Sequence, residues 1–214
     1  MKYKTAIFDL DGTLYRQCPV QMSMGIRIFS YILKHPYSIR LFLGILVFRR
    51  IREDKDYYDF PIERHIESAA NVVKVNVNDL RDAIYYWMFS NPLDLLFKYR
   101  NEQVINKMVN LRKEGFQIVI YSDYPTEEKI EALQLAVDYQ FYPGAGFNEL
   151  KPSKKAMRFI INEISADERF IIYFGDRAKK DGKAAEFIGA KYYYVTKFGG
   201  IRYNFRRNTL TKII

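Results

Sequence analysis

The sequence predicts an α/β fold: a doubly wound parallel sheet with a helical block inserted near its start. Three observations carry this. The apolar run Ala6–Ile7–Phe8 stops abruptly at Asp9, Asp11 and Gly12, as a buried strand ending in a tight turn does. From Glu102 to Val195, apolar runs of strand length alternate with helical periodicity across short links. Between these regions, from Gln17 to about Arg100, helical segments follow one another with little alternation.

In order, residues 4–10 are the first strand. Residues 23–34 place Met24, Ile28, Tyr31 and Ile32 at helical spacing, and Pro36 breaks the pattern. Residues 38–53 are apolar with basic ends. Residues 61–73 put Ile62, Ile66 and Ala69–Ala70 on one face. Asn78 is the expected N-cap of a helix over 80–90, closed by Pro92. Residues 93–99 add a further helical turn. The helix predicted over 102–114 ends at Gly115. Strands are then expected at 117–121, 139–142, 170–174 and 191–195, with helices at 126–135, 153–164 and 180–188. The expected division is a Rossmann-like core of residues 1–15 plus 101–214 and a helical insertion over 16–100.

The 214 residues are 49% hydrophobic and 28% charged, ordinary for a chain that buries a core. The single Cys18 excludes an internal disulfide and fits a reducing compartment. The chain runs directly into its first strand, and the run 41–48 is too short to span a bilayer, so a cytoplasmic location is expected. Net charge is +9, and the six cations Lys191, Lys197, Arg202, Arg206, Arg207 and Lys212 follow the last acid. Such a tail suits an anionic partner, but also a solvated terminus. No zinc-finger spacing or RNP pattern is present, and no nucleic-acid partner is expected. Arg40, Arg49, Arg50 and Arg52 bracket LFLGILVF. Contact with a membrane or a lipid phosphate is one reading of that stretch. Packing within the helical block is favoured over it, because Glu53, Asp54 and Asp56 are mixed in.

The chemistry gathers at four stretches. Asp9 and Asp11 lie two apart at a strand end, where both carboxylates can face one pocket. Two buried acids need a cation or hydrogen bonds. Ser122 and Asp123 follow the run 118–121. Lys151 stands before Pro152 and a helix. Asp176 and Asp181 follow the run 170–174 and Gly175.

Together, DLDGT, IVIYSD, LKPS and GDRAKKD resemble the four motifs of the haloacid dehalogenase superfamily of phosphohydrolases. With 113 positions between Asp9 and Ser122 and 29 between Ser122 and Lys151, the chain resembles the subclass with a helical cap between the first two motifs. The resemblance implies a Mg²⁺-dependent phosphatase acting on a small phosphorylated metabolite. Asp9 is then the nucleophile and Asp11 the general acid and base, with a pKa near the working pH. Ser122 binds the transferring phosphoryl group, and Lys151 offsets its charge. The backbone at Leu10 and the edge residue Asp123 complete the phosphate site. The implied Mg²⁺ ligands are the Asp9 and Asp176 carboxylates and the Asp11 carbonyl, with Asp181 behind them, orienting Lys151 or acting through water. A phosphomutase on a sugar phosphate has the same core. A non-catalytic binding protein working through Arg202, Arg206 and Arg207 is the alternative from another class. Oligomeric state and substrate identity are not legible.

Overall fold

The computed structural model describes residues 3–54 and 58–203. Its centre is a six-stranded sheet in the order β3-β2-β1-β4-β5-β6. The strands are β1 (Tyr3–Phe8), β2 (Gln117–Tyr121), β3 (Tyr139–Phe141), β4 (Ala166–Gly175), β5 (Lys191–Val195) and β6 (Ile201–Tyr203). β1 to β5 pair in parallel, whereas β6 runs antiparallel to β5. The expected all-parallel sheet is corrected at that edge: Gly199, at a φ of 90°, turns the chain back after Val195. β4 also starts earlier than expected, because Ala166 continues the ladder opposite Tyr3.

Strand alternation divides the core between the two faces. Ala6 and Phe8 point one way with Ile118 and Ile120, against Val104, Met108 and Leu111 of helix α6 (Glu102–Lys113). Ile7, Val119 and Tyr121 point the other way, against Met157, Ile160 and Ile161 of α8 (Lys154–Glu163). Both faces are covered, as a parallel sheet requires.

Between β1 and α6 lie α1 (Gln17–Lys34), α2 (Ile39–Glu53), α3 (Ile62–Val73), α4 (Val77–Ile84), a π-helical turn (Tyr85–Ser90) and α5 (Leu93–Leu96). α1 begins six residues before the expected start, since Pro19 falls in its first turn, where no N–H is needed. The N-cap of α4 is Asn76, not Asn78: the Asn76 side chain accepts from the N–H of Asn78 at 2.8 Å. α2, α3 and α4 share an apolar core of Phe48, Ile66, Ala69, Ala70, Leu80 and Ile84. Gly44 lets α2 approach Leu80, where a Cβ would meet its methyl at 2.7 Å. Val20, Met24 and Leu96 instead join the sheet-facing core beside Leu10 and Leu14. The outgoing and returning chains lie side by side. Arg16 N–H donates to Tyr99 at 2.8 Å, and Asn101 N–H to Leu14 at 2.8 Å. No described helix is long and apolar enough to cross a membrane. Of the basic tail, Arg202 is exposed on β6, while Arg206, Arg207 and Lys212 lie outside the described residues.

Candidate active site

Register sets the site. Phe8 of β1 sits opposite Ile120 of β2 and Phe174 of β4. The residues leaving these strands, Asp9, Ser122 and Asp176, therefore emerge along one carboxyl edge. It is also where strand order reverses, with β2 and β3 on one side of β1 and β4 to β6 on the other. Ligands of open α/β sheets bind at such a point.

Asp9 is buried. Its backbone N–H donates to Phe174 at 2.8 Å, and its Oδ2 accepts from Thr13 Oγ1 at 2.9 Å. Its Oδ1 accepts from Lys151 Nζ. That ammonium is itself buried and also donates to Asp181 Oδ1 at 2.8 Å and to the Tyr121 carbonyl at 3.0 Å. Burial raises the Asp9 carboxyl to about 8, against the opposing charge of Lys151. Asp176 is raised to about 6 by burial and by the nearby Asp181. Gly12, at a φ of 93°, permits this crowding: a Cβ there would collide with the Asp176 carboxylate.

Asp11 stands at the mouth of the site. Its Oδ1 accepts from Tyr15 OH at 2.5 Å and from Lys129 Nζ at 2.6 Å, and Ser122 Oγ reaches its Oδ2 at 3.4 Å. Burial alone would raise its pKa, but the Lys129 charge and these hydrogen bonds hold it below the usual carboxylate value. The expected pKa near the working pH is thus not what this arrangement gives, because Lys129 was not legible as a partner. Leu10 packs its side chain into the core, and its carbonyl accepts from the N–H groups of Thr13 at 3.3 Å and Leu14 at 3.0 Å.

Asp123 is drawn further in than an edge residue. It accepts from Lys151 N–H at 2.8 Å and from Arg177 Nη2 at 3.0 Å, with Lys180 Nζ at 3.5 Å. Burial opposes its charge, yet Lys151, Arg177 and Lys180 together bring it down to about 2. Arg52 of α2 donates to the Asp123 carbonyl, and Glu53 pairs with Lys180 at 2.8 Å. The helices between β1 and α6 thereby touch the strand edge directly. Asp181 is buried and doubly engaged: Oδ1 accepts from Lys151, and Oδ2 from Arg177 N–H at 3.0 Å.

All the sequence-predicted residues thus converge on one edge. Sequence reasoning missed Lys129, Tyr15, Arg52 and Arg177. Lys129 carried one signal, a cation on the helix that follows Ser122, and α7 (Glu127–Ala132) buries it.

The donor chemistry suits a divalent cation. Carboxylate oxygens of Asp9, Asp176 and Asp181 all lie within 4.8 Å of one another. Asp176 Oδ1 is buried without a hydrogen-bond partner, and the nearest cationic group, Arg177 Nε, is 3.9 Å away. An oxygen-only set with an unsatisfied acceptor fits Mg²⁺.

No family model matches the sequence, and no curated protein does. Solved structures match over most of the chain. One is a 2-haloacid dehalogenase from Pseudomonas syringae pv. Tomato DC3000, at 13% identity and a TM-score of 0.64, covering 96% of this chain and 91% of that one. A second is the HAD-hydrolase YfnB from Bacillus subtilis bound to magnesium, at 14% identity and a TM-score of 0.62, covering 90% and 88%. A third is a HAD phosphatase from Thermococcus onnurineus, at 17% identity and a TM-score of 0.59, covering 97% and 92%. Over most of its length this chain shares the α/β fold of these haloacid dehalogenase and HAD-hydrolase structures.

Proposed function

We propose that the chain is a Mg²⁺-dependent phosphatase that hydrolyses a small phosphorylated molecule through an aspartyl-phosphate on Asp9. Residues 16–100 serve as its cap. The observation that carries this reading is the pairing of buried Asp9 with buried Lys151, with a second carboxylate, Asp11, at the open side of the same edge.

In the first step an Asp9 oxygen attacks phosphorus and the ester P–O bond breaks. Asp11 delivers a proton to the departing oxygen. In the second step Asp11 takes a proton from water, which attacks the phosphoryl group, releases phosphate and restores Asp9. Ser122 donates a hydrogen bond to a phosphoryl oxygen, and Lys151 balances the negative charge that gathers. Asp181, engaged by both oxygens, orients Lys151. Lys129 suppresses the proton affinity of Asp11 while the two are in contact; an arriving phosphate dianion draws the ammonium away from the Asp11 carboxylate, whose pKa then rises so that it takes up a proton from solvent. Asp9, Asp176 and the Asp11 carbonyl would hold Mg²⁺, which when bound offsets carboxylate repulsion and polarises the phosphoryl oxygens.

Asp11 also separates this reading from dehalogenation, because releasing a halide needs no proton donor. The test is phosphate release from p-nitrophenyl phosphate by the wild type and Asp9→Asn, with and without Mg²⁺. Mg²⁺-dependent turnover that disappears in the variant is expected. Turnover that survives Asp9→Asn overturns the nucleophile assignment and favours a non-catalytic role for this edge.

A further inference from the structure

The helices beside the site enclose far more room than a phosphoryl group fills. α1, α2 and the π-helical turn bound a cavity of about 970 Å³ that meets the site at Asp11, Lys129 and Arg177. This is at the top of the roughly 300–1,000 Å³ range of small-molecule sites.

Its lining is graded along the helices. α1 starts at the site with Gln17 and Gln21, then presents Met24, Ile28 and Ile32. α2 returns with Ile39, Leu43 and Leu46, and only then with Arg49 and Glu53. Glu53 binds Lys180 at the site, so the polar end of both helices is the phosphoryl end. The apolar stretch from Met24 to Ile32 is about 12 Å long at 1.5 Å per residue. Leu43 and Leu46 are 49% and 60% exposed, although Phe48 on the same helix is fully buried. One face of α2 packs, and the other is left wet unless a ligand covers it. A sugar placed there would find few partners for its hydroxyls.

We infer that this channel holds a hydrocarbon tail: the substrate is a phosphate monoester of a long apolar alcohol, phosphoryl end at Asp9 and Lys151, chain between α1 and α2. The inference rests on the phosphatase reading and names its substrate class. It revises the preference for packing alone at 41–48, because that segment both packs and lines a channel.

Binding separates this inference from the activity. Butylphosphonate and decylphosphonate, which cannot be hydrolysed, are titrated calorimetrically into the wild-type protein with Mg²⁺. Kd is expected to fall about two- to fourfold per methylene. Gly25 lines the channel, and a Cβ there meets nothing within 4 Å. Gly25→Trp should therefore weaken decylphosphonate at least tenfold more than butylphosphonate, if the tail runs past it. Equal affinity for both chains overturns the inference, as does an equal loss in Gly25→Trp. Equal affinity together with a dimer in sedimentation assigns the apolar face to a second copy. Turnover of p-nitrophenyl phosphate without length dependence overturns the tail alone. Length-dependent binding without turnover of any ester keeps the tail site and overturns the phosphatase. Assays on free decyl phosphate and on hexadecyl phosphate in phosphatidylcholine vesicles distinguish a dissolved from a membrane-borne ester, and length-dependent activity on either supports the tail site.

Discussion

The ammonium of Lys129 stands 2.6 Å from the carboxylate of Asp11, across 118 positions of sequence. The pair is largely buried and Tyr15 shares the same carboxylate oxygen, so Asp11 stays ionised while Lys129 is at hand. On the proposed mechanism Lys129 must exchange this partner for the substrate phosphate. Lys129→Met should lower kcat/KM for p-nitrophenyl phosphate by about 10²–10³-fold, the usual effect of losing one charged contact to a transferring group. Lys129→Arg should recover part of the loss. Steady-state kinetics of the two variants check this, and a Met variant as active as the wild type would sink the role.

Mg²⁺ binding should be visible without turnover. A ligand at a hundred times its Kd raises stability by about 2.7 kcal/mol if it binds only the folded state. The thermal midpoint of the wild type should rise with Mg²⁺, and that of Asp176→Asn should rise much less. Asp176 Oδ1 lacks a hydrogen-bond partner, so its removal should cost little stability in the absence of metal. Equal Mg²⁺ shifts in both proteins would place the cation elsewhere.

Gly12→Ala should disturb Asp176 rather than Asp9. The substitution combines a φ of 93° with a collision at the Asp176 carboxylate. A loss of about 1–3 kcal/mol is expected from the backbone strain, together with a weakened Mg²⁺ response. Urea denaturation and the Mg²⁺ titration are the two measurements. A variant that loses stability but keeps the full Mg²⁺ response would show that Asp176 had moved without consequence.

Asp123 gives a pH signature in stability. Its carboxyl titrates at about 2 in the folded state, against an ordinary value of 3.8. A depressed carboxylate stabilises the fold above its unfolded pKa and loses that contribution as pH falls through the folded one. The shift corresponds to about 2 kcal/mol, roughly half of it gone by pH 3. The stability advantage of the wild type over Asp123→Asn should therefore be constant from pH 7 to about 5 and shrink below 4. Chemical denaturation at pH 7, 5 and 3 measures it, and an advantage independent of pH would mean that Asp123 acts through shape, not charge.

Three of the residues that the sequence made legible share one property: each follows an apolar run. Asp9, Ser122 and Asp176 are strand-end residues, and continuous apolar runs with short links sufficed to locate three parallel strand ends. Local chemistry misled at element boundaries. Asn76 and Asn78 are equally good caps by type, and backbone geometry chose the first. β6 was missed because three residues after a turn carry too little periodicity to read.

The sequence by itself determined the α/β core, the helical excursion after β1 and the acidic strand edge, because burial periodicity and strand-end turns are local properties of the chain. The tertiary structure decided the rest. It placed Lys151 between Asp9 and Asp181, set Lys129 against Asp11, and brought Arg52 and Glu53 of α2 onto Asp123 after β2 and Lys180 after β4. It also opened an apolar channel beside these charges. Such pairings join residues tens to more than a hundred positions apart. They follow from how helices and strands pack in three dimensions, and no local spacing encodes them.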